Sequence, residues 1–379
     1  MKIVVAMDSF KGSASAKQAC ESVQRGILAR LPDVQTVIRP MADGGEGTAE
    51  TLLEVSQDGE WVGVETMGPL PSIRAEAGFV WLPRSGPGAL IEMAKASGLE
   101  LLASDQMDPM HTTTVGTGEL LAAALHHGAK RIWLTIGGSA TVDGGIGVAK
   151  ALGWALLDEE DRAVSPNGAG LRDIRRIQRP ESISYSEVEV EVLCDVDNPL
   201  LGVRGAARVF GPQKGATDEM VEQLELGLIN FANVIERDLG KDVRDMPGAG
   251  AAGGLGAGAV AFLDAKLVSG IDAVMDASGL DEALIDADWV VTGEGRFDQQ
   301  SLDGKVVSGV VKRAKQAGCR VAVIAGSIVL DSGTAQAGGI EEIEAVSSVK
   351  IPSEEALARG PEFIEVAATR LAEKLRKAR

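Results

Sequence analysis

Met41-Ala42-Asp43-Gly44-Gly45-Glu46-Gly47-Thr48 sets two carboxylates in backbone with almost no side chains, between the apolar run Val34 to Ile38 and the helical pattern Ala49 to Val55. A loop at the carboxyl end of a strand and the amino end of a helix is where open α/β sheets bind ligands. Free amide N–H groups at a helix start attract anions. Acids beside such amides make most sense if a divalent cation or a substrate hydroxyl mediates between them and a phosphate or an acid. The plainer reading is a tight turn, with glycines for positive φ and Asp43 as an N-cap. Recurrence of the pattern along the chain argues for the ligand.

The chain opens with a short apolar strand, Lys2 to Met7, then Asp8-Ser9-Phe10-Lys11-Gly12-Ser13 and a helix from about Ala16 to Arg30, with Ser15 and Gln18 at capping-box spacing. The first fifty residues thus read as two β-loop-α units of a parallel sheet. Strand-like alternation follows at Trp61 to Thr66 and Ala75 to Leu82, and the spacing predicts a short helix over Ala89 to Ala96. Arg131 to Ile136 is a strand running into Gly137-Gly138-Ser139-Ala140-Thr141-Val142-Asp143-Gly144-Gly145, and Val188 to Leu193 one that ends in Cys194-Asp195-Val196-Asp197-Asn198-Pro199. Thr217 is the expected cap of a helix from Asp218 to Ile235, and Pro247 to Gly258 opens a helix through Lys266. Trp289 to Thr292 is a strand expected to end in the loop Gly293-Glu294-Gly295-Arg296-Phe297-Asp298, followed by a helix, Val306 to Ala317, and a strand, Val321 to Ala325. That last βαβ texture matches the first fifty residues, so the two chain ends are expected to form one sheet domain around an inserted one.

A length of 379 residues fits two domains, and with aromatics at only 3% the cores must be filled by Val, Leu, Ile and Ala, as in α/β layers. The formal net charge of −18 opposes nucleic-acid or acidic-membrane binding. Cys20, Cys194 and Cys319 are far apart in sequence, which suggests neither a zinc site nor a disulfide framework. With no secretory signal and no apolar run of membrane-spanning length, the expected location is cytoplasmic.

Five loops combine glycine with acids or cations after an apolar strand: Asp8 to Lys11, Asp43 to Glu46, Ser139 to Asp143, Asp195 to Asn198 and Glu294 to Asp298. Together they are the inventory of a site for phosphate, a metal and a polar substrate. Lys11 and Lys214 are the candidate phosphate contacts, each with a solvated surface lysine as its rival reading, while Arg296 sits between two acids where an ion pair is the rival. No GxxxxGK[ST] motif occurs. Gly248-Ala249-Gly250-Ala251-Ala252-Gly253 fits GxGxxG but follows a polar stretch in place of a strand, so close backbone approach is its expected use. The histidines, His111, His126 and His127, suggest neither a metal site nor a Ser-His-Asp triad.

Asp8-Ser9-Phe10-Lys11-Gly12, Ala42-Asp43-Gly44-Gly45-Glu46-Gly47-Thr48, Gly137-Gly138-Ser139-Ala140-Thr141 with Asp143-Gly144-Gly145, Cys194-Asp195-Val196-Asp197-Asn198-Pro199-Leu200 and Thr292-Gly293-Glu294-Gly295-Arg296-Phe297-Asp298 occur in order, and in them the chain resembles the bacterial type-1 glycerate kinase family from end to end. The resemblance implies ATP-dependent phosphorylation of D-glycerate with Mg2+, usually to 2-phosphoglycerate, with a glycerate 3-kinase as the alternative. It also implies an α/β fold of two domains: a discontinuous flavodoxin-like parallel-sheet domain, 1–65 and 285–379, and an inserted α/β domain of restriction-enzyme-like topology, 66–284, with the active site between them. Phosphoryl transfer is mainly positioning and charge neutralisation. On that footing Asp43 or Asp195 accepts the hydroxyl proton and Lys11 and Lys214 neutralise phosphate or carboxylate charge. Asp8, Gly44, Gly45, Glu46, Ser139, Thr141 and Arg296 contact substrate or phosphate, and Asp197 and Glu294 help hold magnesium. The partners are D-glycerate and ATP, with neither nucleic acid nor membrane, and the protein is a monomer or a homodimer. A dehydrogenase for small hydroxy acids and a non-catalytic sugar-acid sensor are the readings from other classes, and nicotinamide binding or glycerate binding without ATP consumption would mark them.

Overall fold

Ile3, Val5 and Met7 of the opening strand β1 (Lys2–Met7) enter one apolar core while Val4 and Ala6 enter another, the period of two expected of a strand covered on both faces. The computed structural model describes residues 1–42, 44, 45, 47–55, 58–83, 86–181, 187–302, 305–330, 332–346 and 358–377. Its further strands are β2 (Gln35–Ile38), β3 (Glu60–Met67), β4 (Arg74–Leu82), β5 (Gly88–Glu92), β6 (Arg131–Thr135), β7 (Ala155–Leu157), β8 (Arg176–Gln178), β9 (Glu189–Leu193), β10 (Lys266–Val268), β11 (Trp289–Phe297), β12 (Arg320–Ile328) and β13 (Glu342–Ala345). The chain divides into two compact units, Met1–Asp43 with Glu50–Gln57 and Ile271–Arg379, and Gly44–Ala49 with Asp58–Gly270.

In the first unit β2, β1, β11, β12 and β13 lie side by side in that order, all parallel. Two strands from the start of the chain and three from its end thus complete one sheet. One face is covered by Ala16–Leu28 and Gly360–Lys377, whose Ala19, Val23, Ile27, Ile364, Ala368 and Leu371 share a core with β1. The other carries Val306–Ala317, with Val306, Val307 and Val310 buried among Ile271, Met275 and Leu280. Ser15 caps its helix as expected, accepting from the Gln18 amide while Gln18 accepts from the Ser15 amide.

The second unit has a six-stranded sheet in the order β10, β9, β6, β5, β4, β3, parallel from β10 to β5 and antiparallel from there on, plus the small hairpin β7–β8. Asp218–Leu239, capped by Thr217 as expected, and Ala251–Leu263 enclose its core with Val115–His127. Among the described residues no helix is long and apolar enough to cross a membrane.

Three stretches differ from the sequence expectation. Ala89 to Ala96, expected as a helix, is strand β5 followed by the short helix Ala94–Ser97. β5 is buried along its whole length between β4 and β6, so it shows a continuous apolar run with no period to separate strand from helix. Gly293 to Phe297, expected as a loop, continues β11 and pairs with β12 as far as Ile328. A Cβ on Gly293 would stand 1.7 Å from the Ile324 carbonyl oxygen, so the glycine there admits a neighbouring strand and makes no turn. Lys266, expected as helix, starts β10.

Candidate active site

Four parallel strands of the second unit send their carboxyl ends to one edge, the edge that binds ligands in open α/β sheets. β5 ends on Glu92, β6 leads into Gly137-Gly138-Ser139, β9 into Cys194-Asp195, and β10 into Ser269-Gly270. The backbone at Gly44 joins them. A Cβ on Gly44 would lie 2.5 Å from Gly270 Cα, and its φ of +81° is itself unfavourable for any side chain, so glycine is required there twice over. The Thr48 hydroxyl donates to the Gly45 carbonyl at 2.7 Å, and the Ala49 amide donates to Glu92 Oε1 at 2.9 Å. Asp43 and Glu46 lie outside the described residues.

Asp195 sits where the sequence places it, at the end of β9, and its Oδ1 accepts from the Ser269 hydroxyl at 3.2 Å and the Gly270 amide at 3.0 Å. A carboxylate oriented by a hydroxyl and an amide is suited to receive a proton from an alcohol in a fixed direction. Asp197, two residues on, is 74% exposed along its side chain and bonds Arg204 at 2.5 Å. That guanidinium holds the Asp197 carboxyl below the usual carboxylate range.

Lys214 is not a solvated surface lysine. It is 2% exposed, and its ammonium donates to Ser139 Oγ at 2.6 Å and to the Thr141 carbonyl at 2.7 Å. Burial pushes its pKa from 10.5 down to about 7, and the Asp143 charge works the other way. The Asp143 carboxyl, fully buried, accepts from the Thr114 amide and hydroxyl, both at 2.8 Å, and from the Gly145 and Gly147 amides at 3.0 and 3.4 Å. Burial raises its pKa and those donors oppose the rise. Thr141 Oγ1 is buried with no hydrogen-bond partner among the described residues. Ser139, Thr141 and Lys214 are therefore brought together, with Asp143 beneath them. Gly248 to Gly253 serves this same loop by close backbone approach: a Cβ on Gly253, at φ +66°, would stand 2.0 Å from the Thr141 carbonyl oxygen, and the Gly144 amide donates to the Gly253 carbonyl at 3.0 Å.

In the first unit β1 ends before Asp8, whose amide donates to the Gly293 carbonyl at 2.9 Å and whose Oδ1 accepts from the Ser9 amide at 2.6 Å. Lys11 is exposed on the tight turn that follows, closed by the Ser13 amide on the Phe10 carbonyl at 2.7 Å. Gly295 lies against that turn, since a Cβ built on it would meet Phe10 Cα at 3.7 Å and the Lys11 amide nitrogen at 3.8 Å. The structure thus brings Asp8 and Lys11 beside the Glu294 strand. Arg296, 68% exposed, forms the rival ion pair with Asp298 at 3.2 Å. Among the described residues no three His, Cys, Asp or Glu side chains converge as a metal cage would require.

Two residues escaped the sequence reading. Glu92 and Thr114 take their places through contacts distant in sequence, with Ala49 and Asp143; the signal for Glu92 in the sequence was a lone acid in the apolar run Gly88-Ala89-Leu90-Ile91-Glu92-Met93.

Comparison with known proteins gives one consistent result. The sequence model described as the Glycerate kinase family matches residues 3–376. A Glycerate kinase of Halalkalibacterium halodurans is 45% identical over 372 residues, covering 98% of this chain and 97% of that protein. The Glycerate 2-kinase of Escherichia coli K12 is 44% identical over 351 residues, 91% of this chain and 90% of that one. A crystal structure from Salmonella typhimurium LT2, described as a candidate glycerate kinase 2, superposes with a TM-score of 0.90 at 42% identity and covers 100% of this chain and 99% of its own.

Proposed function

The chain belongs to the glycerate kinase family, and on that premise we propose that it transfers the γ-phosphoryl group of ATP to D-glycerate, giving 2-phosphoglycerate. The observation that carries the reading is the near-full-length likeness to a protein named for 2-phosphorylation. Counted within the first unit, the strand order β2-β1-β11-β12-β13 is 2-1-3-4-5, which supports a flavodoxin-like reading of that unit. The inserted unit is read with it as the restriction-enzyme-like partner.

Phosphoryl transfer needs positioned groups more than an elaborate nucleophile. In this reading Asp195, or Asp43 in its place, receives the proton of the 2-hydroxyl as its oxygen attacks the γ-phosphorus and ADP leaves. Ser139 presents its hydroxyl and the loop amides to the anionic substrate, with Thr141 buried behind it, and Lys214 holds that loop in place. Lys11 supplies an exposed cation, with Asp8 and Arg296 beside it as polar contacts. Magnesium accompanies ATP and is bound by phosphates, water and one or two carboxylates. Glu294 fits that part, whereas Asp197 would first have to leave Arg204, so no step is routed through the ion.

The test is ADP formation from ATP and magnesium with D-glycerate, with enolase added in the absence of phosphoglycerate mutase. Immediate phosphoenolpyruvate is the expected result. ADP without it would assign the 3-phosphate, and no glycerate-dependent ADP would return the function to a sensor or another hydroxy acid. Asp195→Asn should keep the fold, because an amide oxygen can still accept from Gly270, and should lower kcat about 100-fold or more. A folded Asn variant at full activity would remove Asp195 from the proton path and leave it to Asp43.

A further inference from the structure

Glu92 is 2% exposed, a carboxylate at the end of a strand buried on both faces, and none of the proposed chemistry uses it. Burying a carboxylate is unfavourable unless charge or hydrogen bonds compensate. The compensation here comes from the first turn of Thr48–Val55: Glu92 Oε1 accepts from the Ala49 amide at 2.9 Å, with Lys95 Nζ at 3.9 Å from Oε2. A carboxylate at a helix amino end is favoured by the unpaired amides and the helix dipole. Gly44, Gly45 and Gly47 carry no side chains, and the Thr48 hydroxyl and amide both donate to the Gly45 carbonyl. The strand that bears Glu92 is by contrast held on both sides, by β4 and β6.

We infer that Glu92 is a positioning residue that anchors the start of the Thr48–Val55 helix to the carboxyl edge of the sheet and acts on phosphoryl transfer through Ala49, without touching substrate. The inference rests on the kinase reading above for its effect on turnover, but the anchoring itself can be measured without activity. In hydrogen exchange of the full-length protein, Glu92→Ala should lose protection over residues 48–52, and kcat should fall about 100-fold with glycerate KM little changed, since misplacement by about 1 Å is enough for such a loss. Glu92→Gln keeps an acceptor for the Ala49 amide and should restore both protection and most of kcat. Should Ala fail to fold, Gln and Asp provide the comparison, because their exchange and kcat must move together. Exchange unchanged in the Ala variant, or kcat unchanged despite lost protection, overturns the inference, as does a Gln variant with full protection and lost kcat, which would make the charge itself the working group. A wild-type protein without glycerate-dependent ADP formation would sink the kinase reading, while protection over 48–52 would still uphold or overturn the anchor.

Discussion

Lys214→Met should lower glycerate-dependent kcat about 100-fold while leaving folding stability at neutral pH within about 2 kcal/mol of wild type, or above it. The two halves of that expectation have different causes. The ammonium donates to Ser139 Oγ and the Thr141 carbonyl, so its loss frees the loop that we propose faces the substrate anion. Its contribution to stability is offset by its own burial: a fall from 10.5 to about 7, with the Asp143 attraction already included, corresponds to a net cost of about 5 kcal/mol for the charged form. Methionine avoids that cost and leaves the Thr141 carbonyl without its donor, a loss of about 1–3 kcal/mol. The sign of the pH effect follows. Between about 7 and 10.5 the unfolded chain holds a proton the folded chain has released, so this group makes stability rise with pH across that window, at most about 1.4 kcal/mol per pH unit. Below about 7 both states are protonated and the full cost is present. Urea midpoints at about pH 7.5 and 9.5 should show a slope in wild type that Lys214→Met lacks. Full activity in the methionine variant would place Lys214 outside the working site.

The sequence made the sheet of the first unit legible because β1 and the Trp289 strand each combine a short apolar run with a glycine-bearing end and a following amphipathic helix, and the Val321 strand completes the second of these units. It misplaced β5 because burial on both faces removes the alternation that marks a strand. It read Gly293 and Gly295 as loop glycines, although at Gly293 the glycine serves strand-to-strand approach, a requirement set by Ile324 thirty-one residues away. At the site, Asp195 and the pairing of Ser139 with Thr141 were visible as motif residues. That Lys214 would be their buried clamp was not, since a lysine between glycines looks solvated until the turn that carries it folds against the Ser139 loop. Asp197 shows the opposite case: a motif acid whose described partner is an arginine seven residues on, in a pair largely open to water.

Asp143→Ala should have the largest effect on stability, about 3–5 kcal/mol, a large share of what holds a typical domain together. Removing the carboxylate leaves the Thr114 amide and hydroxyl and the Gly145 and Gly147 amides without their common acceptor in the interior, and it takes from Lys214 a charge that favours its ammonium form. Asp143→Asn should cost less, because its amide oxygen can still accept on the Thr114 side, although its NH2 then faces the Gly145 amide donor to donor. Of the five tryptophans, Trp61, Trp81, Trp133 and Trp154 lie in the second unit and Trp289 in the first, so denaturation followed by tryptophan fluorescence reports mainly on the unit that Asp143 supports. The pairing with Lys214 adds a sharper expectation. In Asp143→Ala the ammonium is buried without a counter-charge, and methionine at 214 removes that liability. The double variant should therefore be less destabilised than the sum of the two single changes by at least about 1 kcal/mol. Strict additivity would mean that the carboxylate and the ammonium do not sense one another, and the loop from Ser139 to Asp143 would then be held by its hydrogen bonds alone.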